Sequence, residues 1–284
     1  MIKSCKQTSG DMEQASILVI GGAEDKVNQL EILQTFWQRA GGVDAQLGII
    51  PAASGEPAMI GEIYQRLFEN MGCKAVQVLD VREREQSEDP SWHNHLGEMT
   101  GIFLTGGDQL RLATLLADSA LLTALRFYRE RGTLTLAGTS AGAAAMGYHM
   151  IAGGGSGESP HPALVSMAGG LGFLPGVIVD QHFHNRNRVA RLLSAVVMHP
   201  ECLGVGVDED TCAVFEADGQ LQVVGRGTVM IVDAGEASYF CEPQPHSTLP
   251  ISAHNLRVHL LRWGDRFDVQ HRRVLPPLLH HCSA

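Results

Sequence analysis

The segment Leu134–Met146, with the sequence LTLAGTSAGAAAM, decides the fold of this chain. An apolar run, a glycine-flanked serine and an alanine-rich stretch follow one another, as expected for a strand, a sharp turn and a helix. In a G-x-S-x-G nucleophile elbow, Gly138 and Gly142 avoid the clash that a Cβ would make beside a strained central residue. The turn would lift the Ser140 hydroxyl above the sheet edge. The alternative, a turn in which Ser140 only caps the helix, stays open on this motif alone.

Strands and helices alternate along the first half of the chain. Short apolar runs predict strands at 16–20, 46–51, 75–79, 101–105 and 134–137, and helical spacing predicts helices at 30–39, 60–71 and 110–128. This alternation indicates an α/β fold, a three-layer sandwich with a mostly parallel central sheet. Ligands bind outside the carboxyl ends of such strands, so the glycine loops at 21, 106 and 138 are expected to converge on one crevice.

The second half of the chain has a different texture. Residues 153–172 are rich in Gly, Ser and Pro and predict a long functional loop. Strands are predicted at 177–180 and 203–208, with a helix at 188–198 between them. Alternating residues from 211 to 232 and a hairpin from 256 to 274 predict antiparallel C-terminal additions. We find no internal repeat and no long linker, so we expect a single domain over residues 1–284.

Composition excludes several classes of function. The net charge is −10 and no basic run is present, which argues against nucleic-acid binding. No stretch resembles a membrane span, and the first ten residues lack the apolar region of a secretory signal. The six cysteines form no C-x-x-C pair, so a zinc knuckle or redox motif is not expected. We expect a cytoplasmic protein that uses no metal and no cofactor.

A nucleophilic serine needs a base and an acid that orients the base. Several of the thirteen histidines lie in segments typical of the surface, among them His93, His95, His280 and His281. His182 instead follows a predicted strand, in the polar segment 180–191, and is the preferred base, with His184 as the fallback. Glu158 in the glycine-rich loop and Glu209 at the end of another strand are equal candidates for the acid.

An oxyanion hole and a substrate pocket are also expected near this strand end. The N–H of Ala141 follows the nucleophile, and the loop at Gly107 offers a second donor. The three arginines Arg186, Arg188 and Arg191 suit carboxylates of a substrate, since arginine binds them through paired hydrogen bonds. Acidic side chains that would meet a positive group on the same substrate are Asp108, Glu158 and Asp180.

Several segments carrying these residues resemble one family, the cyanophycinases, which are serine peptidases related to aspartyl dipeptidase (peptidase E). The matching segments are Gly21–Lys26, Phe103–Gln109, Gly138–Ala143, Gly157–Pro160, Asp180–Phe183 with the three arginines, and Gly204–Thr211. The resemblance implies a fold similar to class I glutamine amidotransferases. It also implies a serine exopeptidase that cleaves cyanophycin, a poly-aspartate with arginine on each β-carboxyl group, to β-aspartyl-arginine.

By resemblance, Ser140 is the nucleophile, His182 the base and Glu158 or Glu209 the orienting acid. The residues mapped onto the substrate pocket are Gln109, Asp180, Gln181, Arg186, Arg188 and Arg191. We expect attack on the β-carbonyl, an acyl-enzyme, and an oxyanion held by the N–H groups of Gly107 and Ala141. A homodimer is also expected, because dimers are common in this kind of fold.

Two other functions stay open at this point. An aspartyl or isoaspartyl dipeptidase would use the same machinery on a shorter β-aspartyl peptide, although the arginines favour a longer acidic substrate. A non-catalytic, polymer-binding relative would not need an elbow. Serine at position 140 argues against an amidotransferase, which is expected to use cysteine there. The residues that depart from the family pattern as we expect it are His184, Asn185, Asn187 and Cys212.

Overall fold

The computed structural model describes residues 15–239 and 243–276, so Cys5, Cys241, His280, His281 and Cys282 lie outside the described residues. The strands are β1 (Ile17–Ile20), β2 (Gln46–Ile50), β3 (Ala75–Val78), β4 (Gly101–Leu104), β5 (Thr135–Thr139), β6 (His149–Gly154), β7 (Val165–Gly169), β8 (Val177–Gln181), β9 (Leu203–Val207), β10 (Thr211–Phe215), β11 (Gln220–Gly225), β12 (Thr228–Asp233), β13 (Arg257–Arg262), β14 (Arg266–Asp268) and β15 (Arg273–Leu275). The α-helices are α1 (Glu31–Arg39), α2 (Pro57–Asn70), α3 (Arg84–Ser87), α4 (Trp92–Leu96), α5 (Gln109–Leu116), α6 (Ala120–Glu130), α7 (Ala141–Ala144) and α8 (Val189–Met198).

The main sheet has the strand order β15-β14-β11-β10-β1-β5-β4-β2-β3. Strands β1, β5, β4, β2 and β3 are parallel, and β10, β11, β14 and β15 extend the sheet antiparallel on the other side of β1. The predicted α/β class, with its mostly parallel sheet and antiparallel C-terminal additions, is confirmed. Glycine loops after β1, β4 and β5 therefore lie at the same edge of this sheet, as parallel strands require.

Both faces of the main sheet are covered, because successive side chains of its strands point to opposite faces. On one face, Leu18 and Ile20 pack with Phe36 of α1 and Phe68 of α2. Cys212, a departure from the expected family pattern, is a buried member of this same apolar cluster. On the other face lie α5, α6 and a second sheet, and their buried side chains join one continuous core.

The second sheet has the order β13-β12-β9-β8, with β8 and β9 parallel in a register that sets Val177 opposite Leu203 and Gln181 opposite Val207. Its outer face is covered by α8, whose Leu192 lies in a separate buried cluster with that face. The sequence predicts β8 and β9 but not that they leave the main sheet. Their shared register places the residues that follow both strands side by side.

Three predicted elements differ from the structure. The hairpin expected at 256–274 is not formed, because β13 pairs with β12 in the second sheet whereas β14 pairs with β11 and β15 in the main sheet. The single helix expected at 110–128 is two helices, because Asp118 adopts a left-handed conformation and Ser119 caps α6 by accepting from Leu122 N at 3.0 Å. The long loop expected at 153–172 contains the end of β6 and all of β7, which pair as a hairpin. Among the described residues, no helix has the length and apolar character needed to cross a membrane.

Candidate active site

Ser140 lies on a sharp turn between β5 and α7, with φ 53° and ψ −110°. Its N–H donates to Ile20 O of the neighbouring strand at 3.0 Å. A Cβ on Gly142 would come 2.4 Å from Leu104 O, and one on Gly138 would come 2.5 Å from Gly142. The turn is thus closed to any larger residue on either side, which is the arrangement that a nucleophile elbow requires.

The structure brings Ser140, His182 and Glu209 into line. Ser140 Oγ is 3.0 Å from His182 Nε2, and His182 Nδ1 is 2.6 Å from Glu209 Oε1. A carboxylate only accepts, so Nδ1 carries the proton and Nε2 is left to accept from the serine hydroxyl. The arrangement has the geometry in which an imidazole activates a hydroxyl and a carboxylate fixes its tautomer.

Each partner of Ser140 follows a strand of the second sheet. His182 comes directly after β8 and Glu209 two residues after β9, so the parallel register of these strands sets the two side chains together. The backbone of Glu209 donates to the Asn185 side chain at 3.3 Å. Asn185 belongs to a turn that sequence reasoning noted only as a departure from the family pattern. Nothing in the local sequence around Asn185 indicates that it contacts Glu209.

Glu158, the rival acid, does not contact His182. Its carboxylate lies 3.6 Å from His161 Nε2, and its side chain is 62% exposed. The fallback base His184 is also engaged elsewhere, with its Nδ1 2.9 Å from Asp208 Oδ1. Of the alternatives that the sequence left open, the structure therefore brings only His182 and Glu209 to the nucleophile.

The loop after β1 contacts the histidine directly. His182 has a positive φ of 47°, and its N–H donates to Gly21 O at 2.8 Å. A Cβ on Gly22 would lie 2.4 Å from both Nε2 and Cε1 of the ring. Glycine is needed at this position because the backbone passes against the face of the imidazole. The sequence marks this loop as a strand end but does not connect it with His182.

Burial lowers the pKa of His182, with further lowering by the charges of Arg186 and Arg188, while the hydrogen bond and charge of Glu209 raise it. Burial is the largest of these effects because removing the ring from water disfavours its charged form. The imidazole is therefore neutral at pH 7. In that state it accepts a proton from Ser140.

The two segments that carry the predicted oxyanion donors lie next to the nucleophile. Ala141 begins α7, where backbone N–H groups have no partner within the helix. A Cβ on Gly106 would lie 3.3 Å from Ser140 Cβ, so the loop after β4 runs beside the nucleophile. Gly107 follows with φ 144°. The Asp108 carboxylate is used locally, since it caps α5 by accepting from the N–H groups of the second and third residues beyond it, at 2.8 and 3.2 Å.

Two of the predicted pocket residues support the elements around the nucleophile. Gln109 donates through Nε2 to the carbonyls of Ile151 and Ala152 in β6, at 3.1 and 2.9 Å. Gln181 is buried, and its Oε1 lies 3.4 Å from Ser140 Oγ. The Gln181 carbonyl competes with His182 for the single proton of the serine hydroxyl.

The arginine trio divides into three environments. Arg191 forms a buried, two-pronged ion pair with Asp180, with Nε 2.6 Å from Oδ2. Arg188 donates to Gln181 O at 2.6 Å, and burial lowers its pKa to about 10. Arg186 is exposed beside His182. Asp180 and Arg191 are each 5% exposed or less and are paired with one another, and Arg188 Nη1 also lies 3.4 Å from Asp180 Oδ1, so their role as substrate contacts stays a prediction that this geometry does not favour.

A buried carboxylate lies under the elbow and was missed by sequence reasoning. Glu24 is 3% exposed and accepts from Thr139 Oγ1 at 2.6 Å, one residue before the nucleophile. It also accepts from Tyr64 and pairs with Lys26 Nζ at 2.9 Å. The sequence contains Glu24 in a motif of the family resemblance, but an acid in a glycine loop is usually solvated, so no pattern marks it as buried.

Known proteins resemble this chain over nearly its full length. Proteins described as cyanophycinase are 56% identical over 282 residues in Trichormus variabilis and 58% identical over 255 residues in Geminocystis herdmanii. The first alignment covers 99% of this chain and 94% of the relative, and the second covers 90% and 94%. A cyanophycinase from Synechococcus elongatus is 51% identical, with 97% and 87% covered.

Solved structures share the fold at much lower identity. A peptidase from an acI-B1 Actinobacterium superposes with a TM-score of 0.63 at 21% identity, covering 90% of this chain and 98% of that one. A putative peptidase E from Listeria monocytogenes gives 0.52 at 14% identity, covering 75% and 98%. The model of peptidase family S51 matches residues 17–224, which hold the elbow, the histidine and the acid. With that match and the close relatives, the chain belongs to peptidase family S51.

Proposed function

We propose that this chain is a serine-type peptidase that hydrolyses cyanophycin and releases β-aspartyl-arginine. The contact of Ser140 with His182, completed by Glu209, carries the proposal, because it supplies a nucleophile, a base and an orienting acid in one line. Identity above 50% with proteins described as cyanophycinase supports the substrate.

The product decides which carbonyl is attacked, and it corrects the β-carbonyl expected from the sequence. β-Aspartyl-arginine keeps its side-chain amide intact, so the bond that breaks is the backbone peptide bond between successive aspartates. Ser140 Oγ attacks the backbone carbonyl carbon while His182 Nε2 takes the hydroxyl proton. The same proton passes to the leaving amine. Water then attacks the acyl-enzyme, with its proton returning through His182 to Ser140 Oγ.

The oxyanion of both steps is held by the N–H groups of Gly107 and Ala141. This assignment is supported by the loop after β4, whose Gly106 lies beside Ser140, and by the start of α7, which follows Ser140 directly. Backbone donors in rigid turns need no rearrangement during the reaction. Losing one such donor in other hydrolases costs about 10²- to 10³-fold in kcat.

Substrate recognition falls to the charged groups that keep exposed surface. Arg186 is the exposed member of the trio and is suited to a carboxylate of the polymer end. Glu158 is exposed, and the neighbouring Gly157 N–H donates to Asn187 O, which ties its loop to the arginine turn. We assign Glu158 to a guanidinium group of the polymer rather than to His182. We assign a supporting role to the remaining pocket residues, because they hydrogen-bond to groups around the nucleophile; these are Gln109, Gln181 and Arg188.

Purified cyanophycin and the Ser140→Ala variant test the reaction. We expect dipeptide release to fall by about four to six orders of magnitude, as it does when a serine nucleophile is removed in other peptidases. Ser91→Ala, which changes an exposed serine on another part of the surface, is the matched control and should keep full activity. Undiminished release by Ser140→Ala contradicts the proposal.

The two other candidate functions have their own readouts. A dipeptidase would hydrolyse free β-aspartyl dipeptides faster than the polymer, whereas we expect the reverse. A non-catalytic relative would not be labelled at Ser140 by a serine-reactive phosphonate. Polymer length over time separates cleavage at the chain end, which we expect, from internal cleavage, which shortens the polymer before dipeptide accumulates.

We also infer a cytoplasmic homodimer, as expected from the sequence. The negative net charge and the absence of a membrane-crossing helix among the described residues support a protein that works away from a bilayer. Light scattering of the purified chain measures the oligomeric state, and a monomer at micromolar concentration contradicts the dimer.

A further inference from the structure

Metal-ligating side chains cluster at the end of the second sheet that faces away from the nucleophile. Cys202 directly precedes β9, whereas Glu209 follows it, so five residues of strand, about 16 Å, lie between the two. Glu201 stands beside Cys202, and His149 approaches both from the start of β6. None of these side chains takes part in the reaction proposed above.

The ligand atoms lie almost at bonding positions around a common point. Glu201 Oε1 is 3.9 Å from His149 Nε2 and 4.0 Å from Cys202 Sγ, and all three atoms lie within 4.8 Å of one another. A triangle with these sides has its centre about 2.5 Å from each corner, and zinc bonds to nitrogen, oxygen and sulfur are about 2.0–2.3 Å long. Movements of a few tenths of an ångström would close the site.

The residues around the cluster contact its proposed ligands and leave a path for an ion. The His199 ring stacks on His149 with centroids 4.2 Å apart, and its Nδ1 lies 3.4 Å from Glu201 Oε1. Such contacts orient a ligating ring and carboxylate, as outer partners do in known metal sites. A cavity of about 570 Å³ is lined in part by His149 and His199, and the Glu201 side chain is 63% exposed, so an ion can reach the cluster from solvent.

The donor set selects the class of ion. One imidazole, one carboxylate and one thiolate suit a borderline-soft transition metal, whereas Mg²⁺ and Ca²⁺ prefer oxygen alone. We propose that His149, Glu201 and Cys202 bind Zn²⁺, with a water in the fourth position. Binding replaces the thiol proton of Cys202, which passes to solvent. The ion would tie the start of β6 to the turn before β9 and so stabilise the fold, without entering the reaction.

Cobalt and zinc titrations of the full chain test this proposal. The protein is made without a histidine tag and stripped with a chelator, and Co²⁺ is added because its bond to a thiolate gives a charge-transfer absorption. Since His280, His281 and Cys282 are ligands of their own in the sequence, the reference protein carries His280→Ala, His281→Ala and Cys282→Ser together. We expect this reference protein to bind one Co²⁺ with thiolate absorption, and Zn²⁺ to displace it and raise Tm.

Variants on the reference protein assign the ligands. Cys202→Ser should abolish the thiolate absorption, and His149→Ala should weaken binding at least about tenfold, since even an outer partner is worth about 10- to 100-fold. Cys73→Ser, at a half-buried cysteine elsewhere, and His95→Ala, at an exposed histidine, are the matched controls and should bind as the reference does. His149 is partly exposed, so its variant decides the matter if Cys202→Ser misfolds.

Two outcomes overturn the proposal. One is a reference protein that shows no thiolate absorption with Co²⁺ and no rise of Tm with Zn²⁺. The other is unchanged Co²⁺ binding in folded Cys202→Ser or His149→Ala. Hydrolysis of cyanophycin is measured on the stripped and the zinc-loaded protein, and we expect the rates to agree within about twofold because the site lies at the opposite end of β9.

Discussion

Ser140 and His182 both hold a positive φ, which is costly for a residue with a side chain, about 1–3 kcal/mol each. Neighbouring carbonyls at the end of β1 support both residues, since Ser140 N–H donates to Ile20 O and His182 N–H donates to Gly21 O. Adjacent residues of one loop therefore fix the backbone of the nucleophile and of the base. The strained backbone conformation at both residues directs the two side chains towards each other.

The pH dependence of kcat/KM should follow His182. Because burial lowers its pKa, we expect the acid limb of the profile to have its midpoint below 6.5, with activity rising as the ring loses its proton. Glu209→Gln removes the interactions that raise this pKa, so the midpoint should move to lower pH while kcat falls by up to about 10⁴-fold.

Arg186→Gln provides the opposite case. It removes a charge that lowers the pKa of His182, so the midpoint should move to higher pH. The two variants are compared over the same pH range with a soluble oligomer of cyanophycin, by following dipeptide release. Shifts in the same direction for both would contradict the charge arrangement described above.

Glu24 is predicted to position the elbow. Thr139→Val removes the hydrogen bond between the buried carboxylate and the residue before Ser140, and Glu24→Gln leaves one acceptor oxygen where the carboxylate offers one each to Thr139 and Tyr64. We expect kcat to fall by about 10- to 100-fold with little change in KM, since small misplacements of a nucleophile have effects of this size. Lys26→Gln, which leaves the Thr139 bond in place, is the control. A rise in KM at constant kcat would contradict a positioning role.

For single residues, the sequence shows which side chains are candidates for the site better than it shows which of them contact each other. Ser140, His182 and Glu209 were all candidates, but Glu158 was an equal choice because the contact depends on the register of β8 with β9. The family resemblance maps Asp180 and Arg191 onto the substrate pocket, but it does not show that they pair with each other. Their mutual ion pair joins a strand to a helix eleven residues on, and no local pattern reports such a pairing.

Among the elements, the loop after β1 sets the position of the imidazole. Gly22→Ala would place a Cβ 2.4 Å from the His182 ring and should reduce kcat by at least about 10²-fold. Gly72→Ala is the matched control, because Gly72 also has a positive φ, 84°, but nothing within 4 Å of a new Cβ. Backbone strain is common to the two variants and the clash is not, so equal losses of activity would contradict the steric argument.

The link between β8 and α8 makes a separate prediction. Arg191→Leu removes the two-pronged partner of the buried Asp180 carboxylate and leaves only the longer contact with Arg188 Nη1 at 3.4 Å, so it should lower the free energy of unfolding by about 3–5 kcal/mol. Arg186→Gln, at an exposed arginine of the same trio, should leave stability within about 0.5 kcal/mol and raise KM instead. Urea unfolding and steady-state kinetics measure the two effects. If Arg191→Leu unfolds at the same urea concentration as the unchanged protein, the structural role is contradicted and substrate contact by Arg191 is favoured.

Element boundaries follow the sequence where apolar runs are continuous and fail where they are not. The runs of β1, β2, β4 and β5 are buried on both faces and stand out clearly. The leucine-rich stretch after Gln109 reads as one helix, because a left-handed Asp118 leaves no mark on the apolar pattern. β6 and β7 escape prediction because glycines and small residues dilute their pattern.

The whole molecule should unfold as one unit, as the expected single domain requires. Leu136 of the main sheet, Val205 of the second sheet and Leu112 of α5 belong to the same buried cluster. Tryptophan fluorescence and circular dichroism should therefore give coincident urea transitions, and loss of activity should coincide with them. Separate transitions, with the second sheet melting first, would contradict a single domain.

Ser140 follows a strand of the main sheet, whereas His182 and Glu209 follow strands of the second sheet. The distance between the nucleophile and its base, and with it the rate of hydrolysis, therefore depends on how the two sheets pack against each other. Core substitutions between the sheets, far from any substrate, should change the rate before they change the secondary structure. Selection for activity therefore acts on the packing of the whole interface, and not only on the residues that touch the polymer.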